Sequence, residues 1–153
     1  MKIFGLAMFA CLVVACSIAF GRPSSVLPYD ELTRQADLIV IATPVDVRDT
    51  GQNTTIPGMQ LANGPAPAVG METTFEVVAV LKGDADRKKV VLYHLREVKG
   101  QEITENGPGL VSFDPKQKKR YLLFLKHEKD DRYSPATGQL DPADTVKDLG
   151  THP

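Results

Sequence analysis

Along this chain the apolar residues gather into runs of strand length separated by Gly- and Pro-rich stretches, a layout that predicts a mostly-β domain. Leu38-Ile39-Val40-Ile41-Ala42 is apolar on both faces and runs on through Pro44 to Val47, which predicts a long first strand bent at a bulge. From Thr73 to Leu81 the residues Phe75, Val77, Ala79 and Leu81 fall on one face, which is expected to face the core. Lys82-Gly83-Asp84 supplies a turn, and Lys89 to Arg96 follows as the second arm of a hairpin. Tyr121-Leu122-Leu123-Phe124-Leu125 carries no polar residue, so it predicts a central strand covered on both sides. Arg132 to Ser134 adds a short strand, and Pro135, Thr137 and Gly138 turn the chain towards Gln139-Leu140.

Helical spacing is confined to the ends. Tyr29, Leu32 and Ala36 predict a short amphipathic helix over residues 28–36. At the other end Asp141 reads as an N-cap and Pro142 as the first helical position, with Val146 and Leu149 three apart and Gly150 just beyond. That pattern predicts a short C-terminal helix. Two connections are long: Asp49 to Gly70, rich in Gly and Pro, and Glu97 to Pro115, which contains Asn106-Gly107-Pro108-Gly109. Both read as loops, either binding sites or disordered, and Ile103, Leu110, Val111 and Phe113 form a loose extra hairpin in the second.

The first twenty-one residues change the picture of where the domain works. Met1-Lys2, the apolar run Ile3 to Val14 and small residues at Ala15, Ser17, Ala19 and Gly21 have the three-part layout of a secretory signal peptide. The expected products are a signal segment, residues 1–21, and a single domain, residues 22–153. Val13-Val14-Ala15-Cys16 offers a second cleavage, between residues 15 and 16, that would leave a lipidated Cys16 as the membrane anchor. Ser17-Ile18-Ala19 and Ala19-Phe20-Gly21 instead favour soluble release, secreted or periplasmic.

Both cysteines, Cys11 and Cys16, lie in this leader, so the mature domain is expected to be disulfide-free. Loss of Lys2 takes 18 basic residues against 19 acidic ones to 17 against 19, a net charge of −2. Such a balance gives no field for nucleic acid, and none is expected as a partner.

Candidate chemistry is thin. His94 and His127 sit at the ends of expected strands and could share a site with a carboxylate, the arrangement of a metal-dependent or hydrolytic enzyme. Histidines bordering a core are the plainer account, and His152 lies at the terminus. Asp130-Asp131, Asp141, Asp144 and Asp148 lack the alternating ligands of a calcium loop. Neither a G-x-S-x-G elbow nor a mature cysteine nucleophile is present. Lys116, Lys118, Lys119 and Arg120 read as gatekeeper charges before the central strand. Asn53-Thr54-Thr55 matches a glycosylation sequon. No cofactor, metal site or catalytic residue is expected.

The order of these elements carries a resemblance. Ala36-Asp37-Leu38-Ile39-Val40-Ile41-Ala42, then Thr74-Phe75-Glu76-Val77-Val78-Ala79-Val80-Leu81-Lys82-Gly83-Asp84, then Tyr121-Leu122-Leu123-Phe124-Leu125 resembles a group of exported bacterial domains. Their fold is similar to the OB-type barrel of the tissue inhibitors of metalloproteinases and netrin modules. The resemblance covers residues 29–127 and implies an OB-like antiparallel β-barrel of about five strands with a short helix at each end. It carries no inhibition of metalloproteinases. That activity uses a free N-terminal cysteine held by disulfides, whereas Cys16 at an N-terminus would be acylated and has no mature partner. The expected function is therefore a non-enzymatic binding module of the cell envelope or exterior, a monomer whose ligand is a protein or glycan. A structural envelope lipoprotein anchored through Cys16 is the other non-enzymatic reading.

Overall fold

The computed structural model describes residues 27–98, 109–139 and 144–151. The leader with Cys11 and Cys16, Ile103, Asn106 to Pro108, Asp141-Pro142 and His152 all lie outside the described residues. Among the described residues there are six strands: β1 (Leu38–Leu61), β2 (Gly64–Lys82), β3 (Lys89–Glu97), β4 (Lys119–His127), β5 (Tyr133–Pro135) and β6 (Val146–Thr151). One α-helix, α1 (Tyr29–Gln35), precedes them. The strands run β1-β2-β3-β5-β4, and β4 returns to pair with β1, so five of them form a closed ring with β6 added to β4. Every pairing is antiparallel except β3 with β5, which meet in parallel at Leu92 and Tyr133.

The ring closes because β4 is apolar on both faces. Tyr121, Leu123 and Leu125 join Val40, Ala42, Phe75 and Leu92 in the interior. Phe124 points outward and packs with Ile39 against Leu32 and Ala36 beside α1. The Lys82 ammonium donates to the carbonyls of Thr33 and Ala36, the orphan acceptors at the end of α1, at 2.7 and 2.5 Å. Asp37, just beyond, accepts from the His127 backbone N–H at 3.0 Å and pairs with Lys126.

β2 departs from simple alternation. Val40 pairs with Val80, Ile41 with Ala79 and Ala42 with Val77, which leaves Val78 without an opposite number; Leu81 is skipped in the same way between Lys82 and Val80. Each extra residue inverts the faces that follow it. Phe75 and Val77 therefore face or border the core as expected, while Val80 takes over the inward side and Leu81 is 60% exposed. Val45, skipped on β1 next to Pro44, is turned outward for the same reason.

The segment from Asp49 to Gly70 is an ordered hairpin arm, contrary to its reading as a loop. β1 and β2 continue through it to the two-residue turn Ala62-Asn63, closed by Leu61 opposite Gly64. Its two ladder irregularities, between Asp49 and Asn53 and between Thr55 and Gln60, contain Gly51 and Gly58, both at positive φ. These glycines absorb the bulges at no steric cost. Ile56, Ala66, Ala68 and Leu95 give the arm a small core of its own.

Two further expectations are corrected. Val146 and Leu149 belong to β6, not to a helix: Val146 pairs with Leu123 and Lys147 with Leu122. The exposed ladder edge of β4 offers several backbone hydrogen bonds, more than a one-turn helix with two apolar anchors could recover. Leu110 to Phe113 form no strand either. Phe113 instead plugs the ring, edge-on to Phe75, Tyr121 and His94 at centroid distances of 5.0, 5.1 and 5.1 Å.

Candidate binding groove

Pairing register sets a row of polar side chains across three strands. Arg48 on β1 lies opposite Glu72 on β2, and Glu72 lies opposite Tyr93 on β3. Phe75, Leu92 and His94 face inward, so this row stands on the outer surface. Arg132, from the β4–β5 connection, crosses above it. Its guanidinium lies 5.4 Å from the Tyr93 ring centroid and donates to Glu72 Oε1 at 3.0 Å, while Arg48 Nε donates to Oε2 at 2.7 Å.

Clamped between two guanidiniums, the Glu72 side chain is only 7% exposed although it sits on the outside of the sheet. Burial pushes its pKa up, but the hydrogen bonds and charges of Arg48 and Arg132 outweigh that and hold it below the usual value. The carboxylate therefore stays ionised. It works as an internal counter-ion that fixes Arg132 over Tyr93 and not as a general acid.

Gly70 makes room for this packing. A Cβ there would stand 2.7 Å from Tyr93 Oη and 2.8 Å from Thr50 Oγ1, and that hydroxyl already donates to the Gly70 carbonyl at 2.8 Å. The floor of the site is thus a tyrosine laid across a glycine. Asp49 and Arg96 tie β1 to β3 beside it at 2.6 Å.

Above this floor runs a groove of about 580 Å³. Gln52 and Pro57 of the arm form one wall, and Lys129, Asp130 and Arg132 of the β4–β5 connection form the other. Gln139 closes one end, with Nε2 donating to the Tyr93 carbonyl at 2.9 Å. Two consecutive aspartates, Asp130 and Asp131, take φ of 62° and 55°, a conformation that Asp tolerates better than most residues. That turn raises the second wall.

The histidines singled out in the sequence are not brought into this groove. His94 is buried in the ring, 2.9 Å from Thr73 Oγ1 through Nε2 and edge-on to Phe113. Burial lowers its pKa to about 4, against a weaker opposing pull from the backbone at Leu95 and Val111, so the ring is neutral. His127 is half exposed, 4.0 Å from Asp131 and packed on Tyr133. Among the described residues, no three His, Cys, Asp or Glu side chains converge in the manner of a metal site. Lys119 spends its charge on Asp148 across β4 and β6 at 2.8 Å.

Arg48, Glu72, Tyr93 and Arg132 were not legible as a site in the sequence. Arg48 and Arg132 lie 24 and 60 positions from Glu72, and no local motif links them. No family model matches the chain, and a search of curated proteins finds no relative.

Proposed function

We propose that this protein is an exported, non-enzymatic binding module, built on an OB-type barrel like that of netrin modules, and that its ligand occupies the groove over Tyr93. Three antiparallel strands followed by a fourth that returns beside the first make a Greek key, and a fifth strand completes the ring. That connectivity supports the OB-type reading. The observation that carries the functional reading is the groove's position. It lies over Tyr93 of β3, between the β1 side of the hairpin arm, at Gln52 and Pro57, and the β4–β5 connection, and in barrels of this type those two connections flank the surface that takes oligonucleotides and oligosaccharides.

The leader pattern in residues 1–21 supports export, and its small residues after Cys16 favour soluble release. Under that reading a Cys16→Ala variant distributes between membrane and soluble fractions as the parent does. A shift from membrane to soluble fraction would assign the lipid anchor instead.

The groove is tested by capture. Immobilised protein is exposed to envelope extract, beside a Gln52→Arg/Lys129→Glu variant that alters both walls at exposed positions. Retention by the parent and loss in the variant supports the reading, whereas equal retention by both removes the groove from consideration.

A further inference from the structure

Resting on the binding role just proposed, we infer that the groove takes a neutral oligosaccharide rather than a polyanion, a peptide strand or an apolar molecule. Charge is the first discriminator. Within the groove Lys129 and Arg132 are matched by Glu128 and Asp130, so cations and carboxylates alternate without an excess of either. Arg132 is further neutralised by Glu72. A phosphate backbone or a sulfated chain needs a continuous basic stripe, and every cation here has a carboxylate beside it or next to it in the chain.

Backbone geometry counts against the strand-like peptide. A peptide that binds as an added strand needs free N–H and C=O groups along a sheet edge. The groove's floor is a sheet face, and the β3 carbonyl that borders it, at Tyr93, already accepts from Gln139. An apolar ligand fares no better, because it would strip water from Lys129 and Asp130 without returning hydrogen bonds.

What remains matches a sugar. Flat polar groups, the Gln52 carboxamide and the Arg132 guanidinium, supply donors and acceptors for vicinal hydroxyls, and Pro57, with the part of Tyr93 that Arg132 leaves uncovered, supplies apolar surface between them. Arg132 is held in place by Glu72 and Tyr93 before any ligand arrives, so little side-chain ordering is left to oppose binding. The volume, about 580 Å³, lies in the range of small-ligand sites and suits a short oligosaccharide.

The test is a titration of the purified, isotope-labelled protein with maltotriose, cellotriose and N-acetylchitotriose, beside a heparin-derived oligosaccharide, an oligothymidylate and an extended hexapeptide. At least one neutral trisaccharide is expected to shift the amides of Gln52, Tyr93, Lys129 and Gln139. Its Kd should be the same at about 50 and about 500 mM salt, because screening acts on charges. A Gln52→Ala/Lys129→Ala variant, altered only at exposed side chains, should keep its melting temperature and lose about tenfold or more in affinity. Groove shifts produced only by the heparin fragment, the oligothymidylate or the peptide would overturn the glycan assignment. So would silence from all three neutral sugars while extract capture still depends on the groove; capture that ignores the groove overturns the binding role itself.

Discussion

At the scale of single residues, the chemistry is decided by which polar groups are sealed in and which are open to water. His94 is sealed in as the neutral form, its pKa lowered from 6.5 to about 4, so the unfolded chain binds a proton that the folded chain refuses. Its contribution to stability is whole above pH 6.5 and is lost as pH falls from there towards 4, to a total of about 3 kcal/mol. Urea titrations between pH 7.5 and 4 should show a steeper acid loss in the parent than in His94→Gln, and parallel curves would contradict the assignment. Glu72 makes the opposite case, a charge kept by its partners. Removing it as Glu72→Ala strands the Arg132 guanidinium over Tyr93 and is expected to cost about 1–3 kcal/mol. Arg48→Ala should cost under about 1 kcal/mol, since that side chain is 69% exposed and water replaces its bonds. Chemical denaturation of the two variants, read side by side, checks the order.

Elements show where pattern reading succeeds and where it fails. β4 was legible because five apolar residues in a row have no face to give to water, and the ring indeed covers both of its sides. Phe124→Ala, which empties the space between β4 and α1, should cost about 3–5 kcal/mol by thermal or urea unfolding. A loss below about 1 kcal/mol would make this strand peripheral. The inward assignment of Leu81 failed for a different reason. Alternation assumes an unbroken ladder, and bulges at Val78 and Leu81 are set by the partner strand, which lies more than thirty positions away in sequence. Leu81→Asp should therefore be nearly neutral and Val80→Asp strongly destabilising, the reverse of what alternation from Phe75 implies. The arm was hidden by its own composition. Pro57, Pro65 and Pro67 argue against strands, yet they lie at or near ladder irregularities, where a missing backbone N–H is tolerated. β6 was misread because capping residues and two apolar anchors describe a short helix equally well until the open edge of β4 is known. The groove is the least legible of all, being made of residues that only the ring brings together.

For the whole molecule, the ring supplies what small domains often take from disulfides. With no cysteine after Cys16, the segment from Arg22 is expected to fold cooperatively in a reducing cytoplasm, through the interior around Phe75, Leu92, Leu123 and Phe113. An unfolded product there, ordered only on adding a partner, would show that this interior is insufficient. Closure of the ring also sets a schedule. Asp37 at the head of β1 meets His127 at the tail of β4, 90 positions later, and β4 is what covers the apolar face of β1. A ribosome that has made β1, β2 and β3 has therefore released a chain that can bend into hairpins but cannot yet shut. Until residue 127 emerges the ring stays open, and under the export proposed above that interval is the time in which an unclosed chain can be handed to a narrow channel, set by the order of its strands.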